Sequence, residues 1–230
     1  MSFATERKQL LAEAHRARNA GRVRKAIALY KRVLREHPNN VEVAVRTAPL
    51  LARRGEDFEA WQLYRTAARR LAREKRYSDC LSVYRDACRY VPHEFDAWRL
   101  RAELELKLGR EEAAFATLLD GRNQFRDVRR YAQAIALLTR ARSIEPWDPN
   151  VVLDLAKLYA RTDQTDASHE LLQGLASRCN DEVARKVRSA QWRLTLSPRY
   201  AWLWLQSCWR QLVGDPPPHR AEQHAETRAE

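Results

Sequence analysis

The chain is short of cysteine and glycine and lacks any long apolar run, and each shortage closes off a class of protein. Four cysteines, Cys80, Cys88, Cys179 and Cys208, are spread over 230 residues without a CxxC pair. Reduced thiols are therefore expected, rather than a disulfide framework or a metal site. Six glycines supply no phosphate-cradling loop, and neither HExxH nor GxSxG occurs. No run of about 18 uncharged apolar residues is present, so no membrane-spanning helix is expected. The N-terminal MSFATERKQLLAEAHRARNAGR is charged throughout and lacks the apolar core of roughly 7–15 residues that marks a secretory leader. A cytoplasmic chain is the expectation.

Convergent polar groups of a catalytic kind are also missing. The six histidines, His15, His37, His93, His169, His219 and His224, are scattered. The paired acids Glu103/Glu105 and Glu111/Glu112 fall on helix faces or helix starts, where the helix dipole already accounts for carboxylates. No catalytic site, cofactor or metal is expected.

What is present is helix-forming sequence and positive charge. Hydrophobic residues make up 45%, enough to build a core, and Ala, Leu, Arg and Glu dominate, which favours helices throughout. The net charge of +12 is concentrated at one end: residues 1–76 hold 19 Lys/Arg against 8 Asp/Glu, and residues 77–230 hold 23 against 22. Such a field is either a solvated arginine-rich surface or an attractor of an acidic protein, a nucleic acid or anionic lipid. The Arg/Ala richness suggests a bacterial source.

One stretch recurs. In GRVRKAIALYKRVLREHPNN (21–40), Ala26, Ile27, Tyr30, Val33 and Leu34 share a helical face between Gly21 and Pro38. Shifted by 54 positions the pattern returns as Tyr77, Cys80, Leu81, Tyr84, Ala87 and Pro92. Shifted again it is Tyr131, Ala134, Ile135, Leu138, Ala141 and Pro146. Helix stop and start signals predict helices near 5–20, 22–36, 40–54, 57–74, 76–90, 93–108, 110–127, 129–143, 148–161 and 165–178. That is three helices per 54-residue unit over 23–76, 77–130 and 131–184, with no Gly/Ser/Pro-rich linker between units. The segment 181–196 is basic and amphipathic. Ser197-Pro198 then starts a last helix carrying Trp202, Trp204 and Trp209, and 214–230 has no apolar stripe and is expected to be disordered.

Small and aromatic residues at these spacings resemble the tetratricopeptide repeat, a family of 34-residue helix pairs. Residues 7–40 carry the pattern through Ala14, Gly21, Ala26, Tyr30 and Pro38-Asn39-Asn40. Residues 41–74 carry it through Ala48, Gly55, Ala60, Tyr64 and Ala67, residues 95–128 through Trp98, Ala102, Gly109 and Ala114, and residues 149–182 through Leu155, Ala156 and Tyr159. The 54-residue spacing departs from a strict tandem, since the fourth and seventh helices each end one pair and have the spacing to begin the next.

The resemblance implies an all-α chain of about 12 helices, a right-handed α-α superhelix. Helix pairs would lie at about 7–40, 41–74, 77–128 and 131–178 within a solenoid over 1–180, closed by Trp-rich capping helices over 181–213. It also implies a concave groove lined by the first helix of each pair. The family's groove positions fall on Lys8, His15, Arg18 and Asn19, on Glu42 and Arg53, on Asp96, Arg99, Glu103 and Lys107, and on Asn150, Lys157 and Arg161.

That predominantly basic list suits a partner with acidic side chains or a free carboxylate, because an Arg fork binds carboxylates through two hydrogen bonds. The set that chaperone-binding members use to clamp two carboxylates is only partly present. A non-enzymatic protein-interaction scaffold is therefore the first reading. An RNA-binding helical repeat is the alternative, weakened because packing already explains Trp61 and Trp98 and no exposed aromatic series follows the arginines. The face of Trp202, Leu205, Cys208, Trp209, Leu212 and Val213 is expected to cap the stack, ahead of a protein contact and of peripheral membrane binding.

Overall fold

The computed structural model describes residues 3–178 and 181–195, together with Trp202, Trp204, Leu205, Cys208 and Trp209. Among them every regular element is helical: eleven α-helices and one 3-10 turn, with no strand. The expected all-α, helix-pair architecture is the one found. The last expected helix has five described positions, all helical. The expected disorder of 214–230 lies outside the described residues.

The chain divides into two compact units, residues 1–144 and 145–230. The first contains α1 (Phe3–Asn19), α2 (Val23–Glu36), α3 (Val41–Ala52), α4 (Asp57–Arg73), α5 (Tyr77–Tyr90), α6 (Phe95–Lys107), α7 (Glu111–Arg122) and α8 (Tyr131–Ile144), each packed on the next. The second contains α9 (Pro149–Arg161), α10 (Thr165–Ala176) and α11 (Asp181–Thr195), with α11 resting on both α9 and α10.

Two kinds of turn recur along the chain. In the first kind one residue takes a positive φ: Gly21 at 70°, Gly55 at 77°, Lys75 at 58°, Gly109 at 70° and Asp163 at 60°. The amide after it then reaches back five residues to the preceding helix. Arg22 donates to the Ala17 carbonyl at 2.9 Å, Glu56 to Leu51 at 3.1 Å, Arg76 to Leu71 at 3.0 Å, Arg110 to Glu105 at 2.9 Å and Gln164 to Tyr159 at 2.9 Å. These six-to-one bonds satisfy carbonyls that a helix end leaves open.

The second kind is built around Pro38, Pro92 and Pro146, and the helix after it is capped where an Asn or Asp is available. Asn40 Oδ1 accepts from the Val43 amide at 3.1 Å, and Asp148 Oδ1 accepts from Val151 at 2.8 Å. Both turns flanking α4 are of the left-handed kind, so α4 is the second helix of one pair and the first of the next.

The turn after α7 follows neither pattern. The helix was expected to reach 127 but stops at Arg122. Phe125 is fully buried there, edge-on to Phe95 with centroids 6.2 Å apart, and Asp127 caps the 3-10 turn Val128–Arg130. Burial of Phe125 overrides the helical propensity of the segment.

Close approach of paired helices depends on missing side chains. Trp98 of α6, 7% exposed and hydrogen-bonded through its indole N–H to the Pro92 carbonyl at 2.8 Å, lies against Gly121 of α7. A Cβ at position 121 would sit 2.8 Å from Trp98 Cγ. Nearby, the buried Glu105 accepts from Arg101 at 3.0 Å and from Thr117 at 2.7 Å, tying α6 to α7. In the second unit the Trp147 ring lies over Gly174, with the Arg178 guanidinium 4.2 Å from its centroid. Burial pushes the Cys80 thiol up to about 11 and Cys88 up to about 12, so both are neutral, weakly nucleophilic core residues.

Two stability changes of opposite sign follow. Lys75→Gly relieves a left-handed non-glycine residue and is expected to raise unfolding stability by about 1 kcal/mol. Gly121→Ala forces Trp98 from its seat and is expected to cost about 1–3 kcal/mol. Urea midpoints measure both, and a Lys75→Gly midpoint below the parent's would contradict the role given to that turn.

Candidate functional site

Short turns make successive helices antiparallel, so in the first unit they alternate between two layers. Side chains connect every second helix. His15 of α1 meets Arg46 of α3, and Arg53 at the end of α3 lies 5.9 Å from the Tyr90 ring of α5. In the other layer Lys31 of α2 pairs with Glu56 (3.7 Å) and Glu59, before and within α4. Arg65 of α4 acts on Glu94 at the start of α6. A groove of about 620 Å³ runs between α2 and α4 over Leu51 of α3, and one of about 470 Å³ between α6 and α8 over Leu118 of α7.

This layering separates residues that the sequence grouped. Lys8, His15, Arg18 and Asn19 on α1 belong with Glu42 and Arg53 on α3. Asp96, Arg99, Glu103 and Lys107 are on α6, in the layer of α4 and α8. Arg99 is held by Asp96 at 2.7 Å and Glu103 at 2.8 Å, and those two carboxylates raise its pKa, the Asp96 hydrogen bond most. Lys107 sits 4.9 Å from the Tyr77 ring centroid. Asn150, Lys157 and Arg161 are exposed on α9, in the second unit.

A polar cluster lies where α1, α2 and α3 meet. His15 is half-buried, its ring 5.9 Å from that of Tyr30. Its Nε2 meets Arg46 Nη1, while Arg46 Nη2 pairs with Glu42 at 2.6 Å. A guanidinium only donates, so this contact favours the neutral imidazole with Nε2 as acceptor. Burial first, then Arg46 and Arg18, hold His15 below its ordinary pKa, with Glu42 opposing.

Tyr30 itself is fully buried, and its hydroxyl has no hydrogen-bond partner. Burial raises its pKa, while Arg18 and Arg46 pull it down. Two guanidiniums, an imidazole and an unsatisfied hydroxyl therefore converge with one carboxylate among them. Such a set accepts an anion better than a cation. Arg46 was absent from the sequence-derived set. Its signal was the i,i+4 spacing from Glu42 on a stripe that continues to Arg53.

The tryptophans divide by burial. Trp61 and Trp98 are 3% and 7% exposed, which leaves them no face for stacking on bases. Trp204 stacks on Trp192, centroids 5.9 Å apart and planes 12° from parallel, while Trp202 and Trp209 are 68% and 67% exposed. Among the described residues no helix is long and apolar enough to cross a membrane.

The depressed His15 pKa has a sign that titration will test. The unfolded chain takes up a proton near pH 6.5 while the folded chain resists, so stability is full above about pH 6.5 and declines below it. Thermal unfolding between pH 7.5 and 5 (on the order of two units) is expected to show a smaller decline in His15→Gln than in the parent. Parallel curves would place the proton elsewhere.

Models of the tetratricopeptide repeat match residues 11–74, 65–124 and 126–188. The first two matches overlap over 65–74, the second half of α4 and its C-cap Glu74, in the helix that both flanking turns mark as shared. Among solved structures, the chain is similar to a Podosopora anserina putative kinesin light chain with nearly identical TPR-like repeats, at 16% identity, TM-score 0.40, covering 86% of this chain and 100% of that one. It is similar to the P58(IPK) TPR domain at 16% identity, TM-score 0.29, with 83% and 66% covered. A tetratricopeptide repeat protein from Parabacteroides merdae matches at 15% identity, TM-score 0.27, with 82% and 88% covered. No curated protein sequence matches the chain.

Proposed function

The chain belongs to the tetratricopeptide repeat family, and we propose that it is a non-enzymatic scaffold in a bacterial cytoplasm whose α1–α3 face holds a carboxylate-bearing segment of a protein partner. Repeats of this family generally mediate protein–protein interaction. The observation that carries the finer reading is the cluster of His15, Arg18 and Arg46 over the unpartnered Tyr30 hydroxyl. A carboxylate seated there accepts from the two guanidiniums. Arg53 and Lys8 extend the positive face to either side. Arg99 and Lys107, in the other layer, meet a different part of a partner, and Lys157 and Arg161 serve the second unit.

Charge supply supports an acidic partner. The first 76 residues hold 8 carboxylates for 19 cations, and six of the eight, Glu6, Glu13, Glu42, Glu56, Glu59 and Glu74, already sit in ion pairs. Buried Trp61 and Trp98 favour a protein over RNA, since base stacking needs an open ring face. Free buried thiols at Cys80 and Cys88 suit a reducing compartment.

Calorimetry with a peptide ending in two aspartates tests the reading. Arg18→Glu with Arg46→Glu is expected to weaken binding on the order of tenfold or more, about 1.4 kcal/mol, and amidating the peptide terminus is expected to weaken it in the same direction. A bound anion raises the His15 pKa, so the parent binds more tightly at about pH 6 than at about pH 8. Undiminished affinity in the double charge reversal, or tighter binding of a single-stranded RNA with a steep salt slope, would refute the carboxylate site.

A further inference from the structure

A second surface, confined to residues 145–230, has no place in that reading. Trp202, Leu205 and Trp209 are spaced i, i+3 and i+7 and are 68%, 54% and 67% exposed. They form one stripe along a helix, roughly 10 Å from end to end. The opposite side is occupied: Trp204 and Cys208 are half-buried, and the Trp204 ring stacks on Trp192 of α11. α11 is in turn seated on α9 and α10 through Ala184, Val187 and Ala190. Among the described residues the stripe therefore points outward from a packed base.

The surrounding sequence is cationic. Residues 181–213 contain six Lys/Arg and two Asp/Glu, and Lys186 pairs with one of those acids, Glu182, at 3.1 Å. A second copy of the chain would bring the same positive charge to the contact and be repelled. Indole combines an apolar body with an N–H that must stay hydrated or paired, which suits the boundary between hydrocarbon and headgroups. We propose that the Trp202–Leu205–Trp209 face is a peripheral docking surface for an anionic lipid bilayer, with the two indoles at headgroup depth and the Lys/Arg side chains on the phosphates.

The test uses the full chain with vesicles of phosphatidylcholine alone and of phosphatidylcholine with about one quarter phosphatidylglycerol. Co-sedimentation is expected with the anionic vesicles and is expected to fall as salt rises from about 0.1 M to about 0.5 M. Trp202→Ser with Trp209→Ser is expected to lower partitioning on the order of tenfold or more, with an unchanged melting temperature because both rings are exposed. Brominated lipid should quench the parent's indole emission, a readout independent of any variant. Arg46→Glu should leave all of this intact, so failure of the carboxylate site and failure of the lipid surface are separable. Absent anionic-vesicle binding, or equal binding by the double serine variant, overturns the proposal. So does lipid-free protection of the indoles that grows with protein concentration, since a second copy would then cover the face. Retention on polyglutamate that depends on both tryptophans would assign the face to an acidic protein instead.

Discussion

Helices joined by turns of a few residues must reverse direction at each step, and that reversal governs what the rest of the chain does. Reversing helices stack in two layers, so a side chain's layer depends on the parity of its helix. A repeat of two helices keeps each helix type in one layer. The repeat here has three helices, with Gly55, Gly109 and Asp163 at one 54-residue interval and Pro38, Pro92 and Pro146 at another. Three is odd, so the helix type that opens a pair, in α1 and α3, changes layer when it returns as α6. The ion pair between Lys31 and Glu59 and the contact of His15 with Arg46 record the two layers directly. α1 and α3 thus share one layer, and α6 lies in the other.

The turn that makes this possible tolerates its sequence unevenly. Five turns share the six-to-one hydrogen bond, yet only three of them place glycine at the left-handed residue. Lys75 and Asp163 hold the same geometry at a backbone cost. They persist because the helices on either side are already fixed by packing, Leu71 and Leu81 on one side of the chain and Leu155 and Leu172 in the second unit. The turn at Lys75 lets α4 close one pair and open another, which converts a two-helix repeat into a three-helix one.

Much of this was legible in the sequence because helix ends are written in local chemistry. Gly21, Gly55, Gly109, Pro38, Pro92 and Pro146 place most helix boundaries within two residues of those observed. What was not legible depended on distant contacts. The end of α7 at Arg122 is set by burial of Phe125 against Phe95, which no local pattern announces. Lys75 carries no mark of a positive φ. The face shared by His15 and Arg18 with Arg46 depends on how α1 and α3 align, and the grouping of those residues with Arg99 and Lys107 depended on helix type rather than on parity. Periodicity fixes which side of a helix is apolar; it does not say which layer that helix joins.

The charge of the first unit then acquires a physical sense. Its carboxylates are mostly committed to pairs on the rims, such as Glu6 with Arg32 at 2.9 Å and Glu13 with Lys25 at 2.7 Å. At the junction of α1, α2 and α3, Glu42 faces Arg46, Arg18 and His15, and the His15 pKa is held below its ordinary value. Burial is the larger cause of that downward shift, and the positive potential of Arg46 and Arg18 adds to it. The buried Tyr30 hydroxyl beside it, raised in pKa and without an acceptor, adds a donor to the same place. An anion entering there would raise the His15 pKa, so its binding and proton uptake are thermodynamically linked.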